Sequence, residues 1–479
     1  MLSSFFRNAV LVLLLNLTVK GVYLFAIERT VQNRLPEGDY GLYFSLLGLG
    51  MILQVIADAG LQLYNSRTIS GHRQLLAKYF PYFVALKAVL GGGFFAALLL
   101  AGWALGYRGG ALWLLLLVGA GQLLNSLVLY LRSSLAGLGR YALDSTFSIL
   151  DKLLMIVLVG AVLVAFPERL SIFTFAGTQV VAWLVTAIGL GWSLRSRLLI
   201  RWPKFRPAVL WMLLRGGAPY ALAILLQTAY SRTDAIMIER LLPAGAEAAG
   251  HYAAGYRLLD AINMVGWLLA GLLLPMYARL HSRGEDVREL LRFSTHLLVG
   301  GSLVVAVAVA TYAGPIVGVL YDFAEPRTAR ILCFLALTFV AQCLNYAYGA
   351  LLGATGLIGR MNYVFAAGIL LNVVGNWWVL PRHGAVGAAV VTLATQSFVA
   401  VVQAGLAQRW LQIREGDPDW ARLLLLAAAL VGVALTLRQG LGVAMLPGLC
   451  LLSLTGLGLA WGLRLIDPRQ LLRFVGAAD

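Results

Sequence analysis

Charged residues are scarce in this sequence. Asp, Glu, Lys and Arg make up 12% of its 479 residues, whereas a soluble domain keeps about a quarter of its residues charged. The mean hydropathy is +0.83, and apolar runs recur along the whole chain. Each run is roughly twenty residues long, enough to cross a hydrocarbon layer about 30 Å thick. This composition excludes a soluble globular protein.

Strand-like alternation of apolar and polar residues is also absent, which argues against a membrane β-barrel. Because lipid offers no hydrogen bonds to the backbone, the apolar runs predict helices. The first run follows Arg7 and lacks a small-x-small cleavage pattern, so we expect a retained helix. We therefore predict an all-α polytopic membrane protein with about fourteen spans. The predicted spans are 9–28, 41–65, 79–106, 111–131, 145–166, 171–194, 209–238, 250–277, 291–320, 328–354, 362–380, 385–408, 420–437 and 441–463.

Motifs that carry catalytic or metal chemistry are missing as well. The three cysteines, Cys333, Cys343 and Cys450, lie in apolar segments without metal-binding spacing, so they are predicted to be small buried residues. The chain has no P-loop, HExxH or GxSxG motif. Asp417 and Asp419 form a DxD pattern, which a turn and a helix N-cap explain. We predict no enzyme, no metal site and no cofactor.

The formal net charge of +16 invites a nucleic-acid partner. Its distribution excludes one, because the Lys and Arg residues form short clusters between apolar runs. Loops on the side of the two termini hold more than twice as many Lys and Arg residues as loops on the other side. By the positive-inside rule, both termini are predicted to be cytoplasmic, and an even number of spans agrees.

Short motifs recur in the second half of the chain, in the same order. Gly38-Asp39-Tyr40 returns as Gly250-His251-Tyr252, and Ile27-Glu28-Arg29 returns as Ile238-Glu239-Arg240. Arg67 similarly pairs with Arg279. The loop sequence GLGR, ending at Arg140, is echoed by GLIGR, ending at Arg360.

These echoes predict two six-helix lobes, 1–206 and 207–410, related by a pseudo-twofold axis along the membrane normal. Residues 411–479 add two further helices and a cytoplasmic tail. Transporters built from such parallel repeats place their substrate site between the halves and operate by alternating access.

Ten charged residues lie at least four residues from the ends of the predicted spans. There a charge costs at least about 2.5–3.5 kcal/mol and normally faces a partner, protein or water. The cations outnumber the anions, which suits an anionic guest such as a diphosphate. The cations are Lys20, Lys87, Lys152, Arg215, Arg232 and Arg257, and the anions are Asp58, Asp151, Asp234 and Asp260.

Lys20 is predicted to be the central phosphate-binding cation, because it lies too deep in its span to reach the interface easily. Arg232 and Arg257 are predicted to face the same cavity. Arg257 can instead neutralise Asp260, three residues away on the same helix face. Arg232 and Asp234 can instead have a structural role between the lobes.

Three further cations, Lys87, Lys152 and Arg215, lie about two turns from the predicted cytoplasmic ends of their spans. They could form a path to the cavity, extend to the interface or pair with acids. Asp151 is expected to pair with Lys87 or Arg215.

Asp58 is a candidate proton-titrating carboxylate, with a structural ion pair as the alternative. Asp151, Asp234 and Asp260 are the other possible coupling carboxylates.

Four tyrosines occupy matching positions in the two halves, at the predicted outer ends of spans 2 and 8. Tyr40, Tyr43, Tyr252 and Tyr256 could stack on sugar rings or anchor the protein at the membrane interface. The charges of the first hairpin, including Glu28, are expected to form a solvated rim.

Four stretches carry a resemblance to a known family. They are IADAGLQLYNSR from Ile56, SRTDAIMIERLLP with the following GHYAAGYRL, the two loops that end in Gly-Arg, and HGAVGAAVVTLATQ from His383. In this order, within a fourteen-span frame, they resemble the polysaccharide-transporter family, which includes the O-antigen flippases. That family belongs to the multidrug/oligosaccharidyl-lipid/polysaccharide (MOP) flippase superfamily.

The resemblance implies a V-shaped cavity between two lobes in a bacterial cytoplasmic membrane protein. The implied substrate is a polyprenyl-diphosphate-linked oligosaccharide, moved to the outer leaflet for O-antigen, capsule or exopolysaccharide synthesis. The implied partners are membrane lipids, a polysaccharide polymerase and chain-length proteins, and the protein is expected to be a monomer. Proton antiport and membrane-potential-driven movement both fit the family.

Two other functions compete with this interpretation. An ion-coupled drug antiporter of the multidrug and toxic-compound extrusion type would have twelve spans and acidic residues for cationic drugs. A glycan polymerase or glycosyltransferase would need a large outer loop or a soluble catalytic domain, and no loop in the chain is long enough.

Overall fold

The computed structural model describes residues 15–62, 65, 75–195, 207–411 and 419–465. These residues form helices and turns without any strand, and twelve of the helices are long and apolar enough to cross a membrane. The predicted all-α polytopic membrane fold is confirmed. Arg7 and Arg67 lie outside the described residues, so their predicted positions stay predictions.

The helices follow the predicted spans closely. The first seven are α1 (15–34, with a π-helical turn at Tyr23–Glu28), α2 (Glu37–Asp58), α3 (Leu75–Ala104), α4 (Gly109–Gly137), α5 (Tyr141–Ala165), α6 (Ile172–Leu194) and α7 (Pro207–Leu241). The others are α8 (Gly245–Ser282), α9 (Arg288–Thr311), α10 (Pro326–Ala354), α11 (358–383), α12 (385–411), α13 (Trp420–Leu435, continued by a π-turn to Gly440) and α14 (Met445–Gly462). A short helix, Ala313–Leu320, separates α9 from α10.

Local chemistry explains where several helices begin and end. Ser171 caps α6 by accepting a hydrogen bond from the Thr174 N–H at 3.1 Å. Asp419 caps α13 as predicted, while Asp417 lies outside the described residues. Helices α11 and α12 are continuous except at Gly384, whose φ of 57° breaks the α-helical geometry.

The chain divides into two compact units, Met1–Gly250 and His251–Asp479. The first unit therefore includes α7 as well as α1–α6. The lobe boundaries drawn from the sequence repeat, 1–206 and 207–410, describe which segments echo each other and stay a prediction.

Glycines allow very close helix crossings in the first unit. A Cβ atom on Gly41 of α2 would collide with the Ala246 carbonyl oxygen at the start of α8. On the opposite side of this crossing, a Cβ on Gly250 would lie 2.6 Å from the Glu37 carbonyl oxygen. The glycines of the two repeated Gly-x-Tyr motifs are thus explained by backbone packing.

Helix α2 ends at a second crossing. Ala59 adopts a left-handed conformation (φ 49°), as does the following Gly60 (φ 72°). Here the chain touches Gly217 of α7, and a Cβ on Gly217 would collide with the Ala59 carbonyl oxygen. This turn stops α2 seven residues earlier than the sequence predicts.

The second unit packs α13 and α14 against α9. A Cβ on Gly448 of α14 would collide with the hydroxyl of the buried Tyr312, and a Cβ on Gly456 would lie 2.8 Å from Val304. These small residues let α14 approach α9, which is how closely packed membrane helices associate. The two helices outside the sequence repeat therefore belong to the core of the second unit.

Large apolar side chains are exposed on many helices, as expected for helices that face lipid. Trp103 and Trp113 are 67% and 69% exposed, and Trp377 and Trp378 are 68% and 69% exposed. The prediction that all three cysteines are buried is wrong for Cys450, which is exposed.

Candidate functional site

Polar residues recur at helical spacing on α1 and α5, the two helices that hold most of the candidate site. Asn16, Lys20 and Tyr23 share one face of α1 because they are four and three residues apart. The Ser148 hydroxyl of α5 donates a hydrogen bond to Asn16 Oδ1 at 3.0 Å. This bond sets the register of α5 against α1 and brings the next turn of α5 to the level of Lys20.

Asp151 and Lys152 form an ion pair one turn further along α5, with 3.2 Å between Lys152 Nζ and Asp151 Oδ2. The same ammonium lies 4.8 Å from the centroid of the Tyr23 ring and 5.7 Å from that of the Trp183 ring. Both rings are almost fully buried. Lys152 is therefore held by a carboxylate and two aromatic faces, contributed by α1, α5 and α6.

Lys20 lies beside this group and is half-buried. Asp151 favours the charged form of Lys20, whereas the neighbouring cations Lys152 and Arg132 oppose it. Within the described ranges, however, Lys20 makes no hydrogen bond and no ion pair shorter than 4.0 Å. It is a cation inside a membrane span without a bonded counter-ion, as expected of an anion site.

Arg132 and Asp144 complete the charged group. Arg132 Nε donates to Asp144 Oδ1 at 2.7 Å, joining the end of α4 to the first turn of α5. Neither residue is among the site candidates predicted from the sequence. The spacing of Asp144, Ser148 and Asp151 along one face of α5 was the signal that could have found this cluster.

Lys87 and Asp58 form a separate, buried pair. Their Nζ and Oδ1 atoms are 3.1 Å apart, and Lys87 also donates to Ser126 Oγ at 2.7 Å and to the Ala57 carbonyl at 3.4 Å. Lys87 thus neutralises Asp58 and caps the end of α2. The geometry matches the structural ion pair that was the alternative for Asp58.

We expect that replacing one partner of this pair destabilises the protein more than replacing both partners. Lys87→Met or Asp58→Asn alone leaves one buried charge uncompensated, which costs about 3–5 kcal/mol. The double variant Lys87→Met/Asp58→Asn should lose less stability than either single variant. Thermal unfolding of purified protein in one detergent measures the three differences, and additive losses would contradict a neutralising pair.

The expected partner of Asp151 is wrong. Sequence reasoning assigned it Lys87 or Arg215, because adjacent residues project from different faces of a helix. In the structure, the long Lys152 side chain folds back to its neighbour, Lys87 binds Asp58, and Arg215 is exposed. Lys152 accordingly does not extend to the interface.

The remaining candidates on α7 are separated from this cluster in sequence and are packed differently. Asp234 is fully buried and Arg232 is half-buried, and both interact with other residues. The backbone of Arg232 packs on Gly48 of α2, whose Cβ would lie 3.1 Å from the Arg232 carbonyl oxygen. This part of α7 is therefore a tightly packed element of the first unit.

The end of α7 is joined to the turn between α3 and α4. Tyr107, in that turn, donates its hydroxyl to Glu239 Oε2 at 2.8 Å, and Arg240 Nε binds the same oxygen at 2.8 Å. The Arg240 guanidinium also lies 3.6 Å from the Tyr107 ring centroid. Burial raises the pKa of Tyr107 above its ordinary value, so its hydroxyl stays protonated and donates.

In the second unit, the polar interior is mainly neutral. Arg257 and Asp260 form the predicted intrahelical pair, with 3.5 Å between Nη1 and Oδ2. Asn345 donates to Gln396 Oε1 at 2.9 Å, and amide and hydroxyl groups also link α8 to α10 and to α12. Arg257 therefore has a local counter-ion, whereas Lys20 has no bonded one among the residues that the structure describes.

The four repeated tyrosines are buried, so both sequence interpretations of them are wrong. Tyr40 donates to Glu28 Oε1 at 2.7 Å, which also places Glu28 inside the protein and not on a solvated rim. Tyr43 donates to Gln179 Oε1 at 2.9 Å. They bind the helix ends together and present no open ring to a sugar.

Comparison with known structures defines the class of this fold. It matches the lipid II flippase MurJ in an inward closed conformation, with a TM-score of 0.66 at 11% identity over 96% of this chain and all of that one. A MOP superfamily transporter from Pyrococcus furiosus with reversed binding-pocket polarity matches with a TM-score of 0.59 at 14% identity, covering 85% and 95%. A point mutant of the MATE transporter VcmN from Vibrio cholerae gives 0.55 at 15% identity, covering 81% and 98%. The chain shares the fold of these flippase and transporter structures.

Sequence comparison identifies the family. A profile described as polysaccharide biosynthesis protein matches residues 5–281, more than half of the chain. No curated protein sequence matches this chain. The chain belongs to the polysaccharide biosynthesis protein family, as the resemblance of its motifs predicts.

Proposed function

We propose that this protein is a flippase that moves a polyprenyl-diphosphate-linked oligosaccharide across the bacterial cytoplasmic membrane. The observation that supports it best is Lys20, an intramembrane cation without a bonded counter-ion among the described residues. A diphosphate is an anion with several strong acceptor oxygens, and lysine binds phosphate as a point charge. The polysaccharide family and the lipid II flippase among the structural relatives support a lipid-linked substrate.

In this proposal the lipid-linked sugar serves O-antigen, capsule or exopolysaccharide assembly, together with a polymerase and chain-length proteins. The lobes 1–206 and 207–410 alternate access to the two sides of the membrane. The protein acts as a monomer with both termini in the cytoplasm. Lys20 contacts the diphosphate, Arg232 and Arg257 act in the second half of the path, and the exposed Arg215 lies where substrate approaches.

The other candidate cations take supporting roles. Lys152 acts beside Lys20 through Asp151, and Lys87 holds α2, α3 and α4 together. Asp234 and Asp260 remain candidates for coupling, with proton antiport and membrane potential both compatible with the site.

A drug antiporter fits this interior less well. Such a transporter needs an acidic group available to a cationic drug, yet Asp58, Asp144 and Asp151 are already paired with cations at 3.2 Å or less. A drug would have to displace those cations from buried pairs, which leaves charges uncompensated in lipid. An anionic substrate instead supplies a charge that Lys20 lacks.

Binding of head-group analogues to the purified protein in nanodiscs tests the substrate class. Farnesyl diphosphate should bind most tightly, farnesyl monophosphate more weakly and farnesol weakest, because the number of phosphate charges near Lys20 falls in that order. The cationic dye ethidium should neither bind nor compete. Ethidium binding with no preference for the diphosphate would overturn the proposal in favour of the antiporter.

A further inference from the structure

We propose that Asp151 is a fixed counter-charge that weakens the hold of Lys20 on the substrate diphosphate, and so allows its release. This inference rests on the proposed function and assigns Asp151 the role of a positioning residue. Its basis is the juxtaposition of three charges on α1 and α5. Ser148 bonds Asn16 at 3.0 Å, and Asp151 and Lys20 each follow one turn later on their helices. Among the described residues, however, Asp151 bonds Lys152 and not Lys20.

The contacts of Lys152 explain why Asp151 stays in place. The Lys152 ammonium is 3.2 Å from the carboxylate and lies against the rings of Tyr23 and Trp183, which are 6% and 7% exposed. If Lys152 left Asp151, it would also lose two cation–π contacts in a poorly solvated place. The carboxylate is therefore held beside Lys20 without neutralising it through a direct bond.

A fixed negative charge at this position acts differently on the empty and the loaded site. When the site is empty, Asp151 attracts Lys20 across a distance longer than an ion pair and stabilises its charge within the span. When a diphosphate binds Lys20, the same carboxylate repels it, and repulsion between charges is strong where water is scarce. Conduction through any site requires binding that is strong enough to admit the ligand and weak enough to release it.

The neighbouring cations act on Lys20 in the sense opposite to Asp151, and each of them is bonded to an acid. Arg132, on α4, is bonded to Asp144 at 2.7 Å, and Lys152 is bonded to Asp151 at 3.2 Å. The cluster thus contains two internal pairs plus Lys20.

Asp151→Asn tests the proposal, because asparagine keeps the shape and can still accept a hydrogen bond from Lys152. We expect about tenfold tighter binding of farnesyl diphosphate in nanodiscs, with slower export of the lipid-linked glycan in cells. Glu168→Gln, which removes an acid from an exposed turn, is the matched control and should leave both unchanged.

Lys152→Met provides a second, independent arm. Without Lys152, Asp151 is free to bond Lys20, so farnesyl diphosphate should bind more weakly than to the wild type. The double variant Lys152→Met/Asp151→Asn should restore binding at least to the wild-type level. If Asp151 only supported the fold, adding Asp151→Asn to Lys152→Met would not restore the binding of farnesyl diphosphate.

The outcomes separate this inference from the proposed function. If the wild type binds no farnesyl diphosphate, the proposed function fails. If the wild type binds but Asp151→Asn binds equally or more weakly, and the double variant shows no rescue, the counter-charge role is overturned. If Asp151→Asn does not accumulate, the comparison of Lys152→Met with the double variant decides between these results.

Discussion

Replacing Lys20 by methionine is expected to abolish export of the lipid-linked glycan while the protein still accumulates in the membrane. In the described part of the chain Lys20 makes no hydrogen bond or ion pair, so its removal breaks no bonded contact. Methionine has a similar length and suits a membrane span better than a charge does, by about 2.5–3.5 kcal/mol. Removing the Lys20 ammonium deprives the diphosphate of a charged contact worth about 1.5–3 kcal/mol.

Two measurements check this expectation together. Farnesyl diphosphate should bind Lys20→Met about 10- to 100-fold more weakly than wild type, and complementation of a flippase-deficient strain should fail. Lys20→Arg, which keeps the charge, should retain part of both activities. Arg169→Gln, which removes an exposed turn cation, controls for net charge and should behave as wild type. Normal export by Lys20→Met would exclude Lys20 from the site, and loss of the protein from the membrane would assign it a structural role.

The helical architecture could be predicted because lipid leaves the backbone few alternatives. Each apolar run must satisfy its own hydrogen bonds, so run length and turn residues sufficed to locate most helices. The end of α2 could not be located in this way. It depends on Ala59 and Gly60 adopting left-handed conformations against Gly217, a contact between segments more than 150 residues apart.

Charged residues within the spans were found from sequence, but only some of their partners were. Their rarity in a lipid-facing chain singled out Lys20, Asp58 and Asp151 directly. The pairing of Asp151 with Lys152 depends on side-chain flexibility, which helical geometry alone does not describe. Long lysine side chains can reach neighbours that lie on another face of the helix.

The chemistry predicted for Glu28 of the repeated Ile-Glu-Arg motif is wrong, while the two-lobe architecture predicted from the repeat stays a prediction. In both copies the glutamate accepts a hydrogen bond from a tyrosine hydroxyl, Glu28 from Tyr40 and Glu239 from Tyr107. The polar residues at the end of the first apolar run suggested that Glu28 belongs to a solvated rim. Burial of a charge becomes visible only when the neighbouring helices that supply its donors are in place.

Gly217→Ala is expected to be among the most damaging single-methyl changes in the first unit. The added Cβ would collide with the Ala59 carbonyl oxygen, at the point where α2 ends and α7 passes it. Overpacking usually costs 1–3 kcal/mol when side chains can move away. Here the obstacle is backbone, and Gly60 faces Gly217 with an equally close approach, so we expect a loss of at least about 3 kcal/mol.

Gly177→Ala in α6 is the matched control, because a Cβ at that position meets no atom within 4 Å. Alanine favours helix over glycine by up to about 1 kcal/mol, so this variant should be as stable as wild type or slightly more stable. The yield of monodisperse protein in size-exclusion chromatography and its thermal unfolding temperature compare the two. Equal stability of Gly217→Ala and Gly177→Ala would mean that α2 and α7 separate readily at this crossing. That result would contradict a first unit in which α7 is fixed to the end of α2.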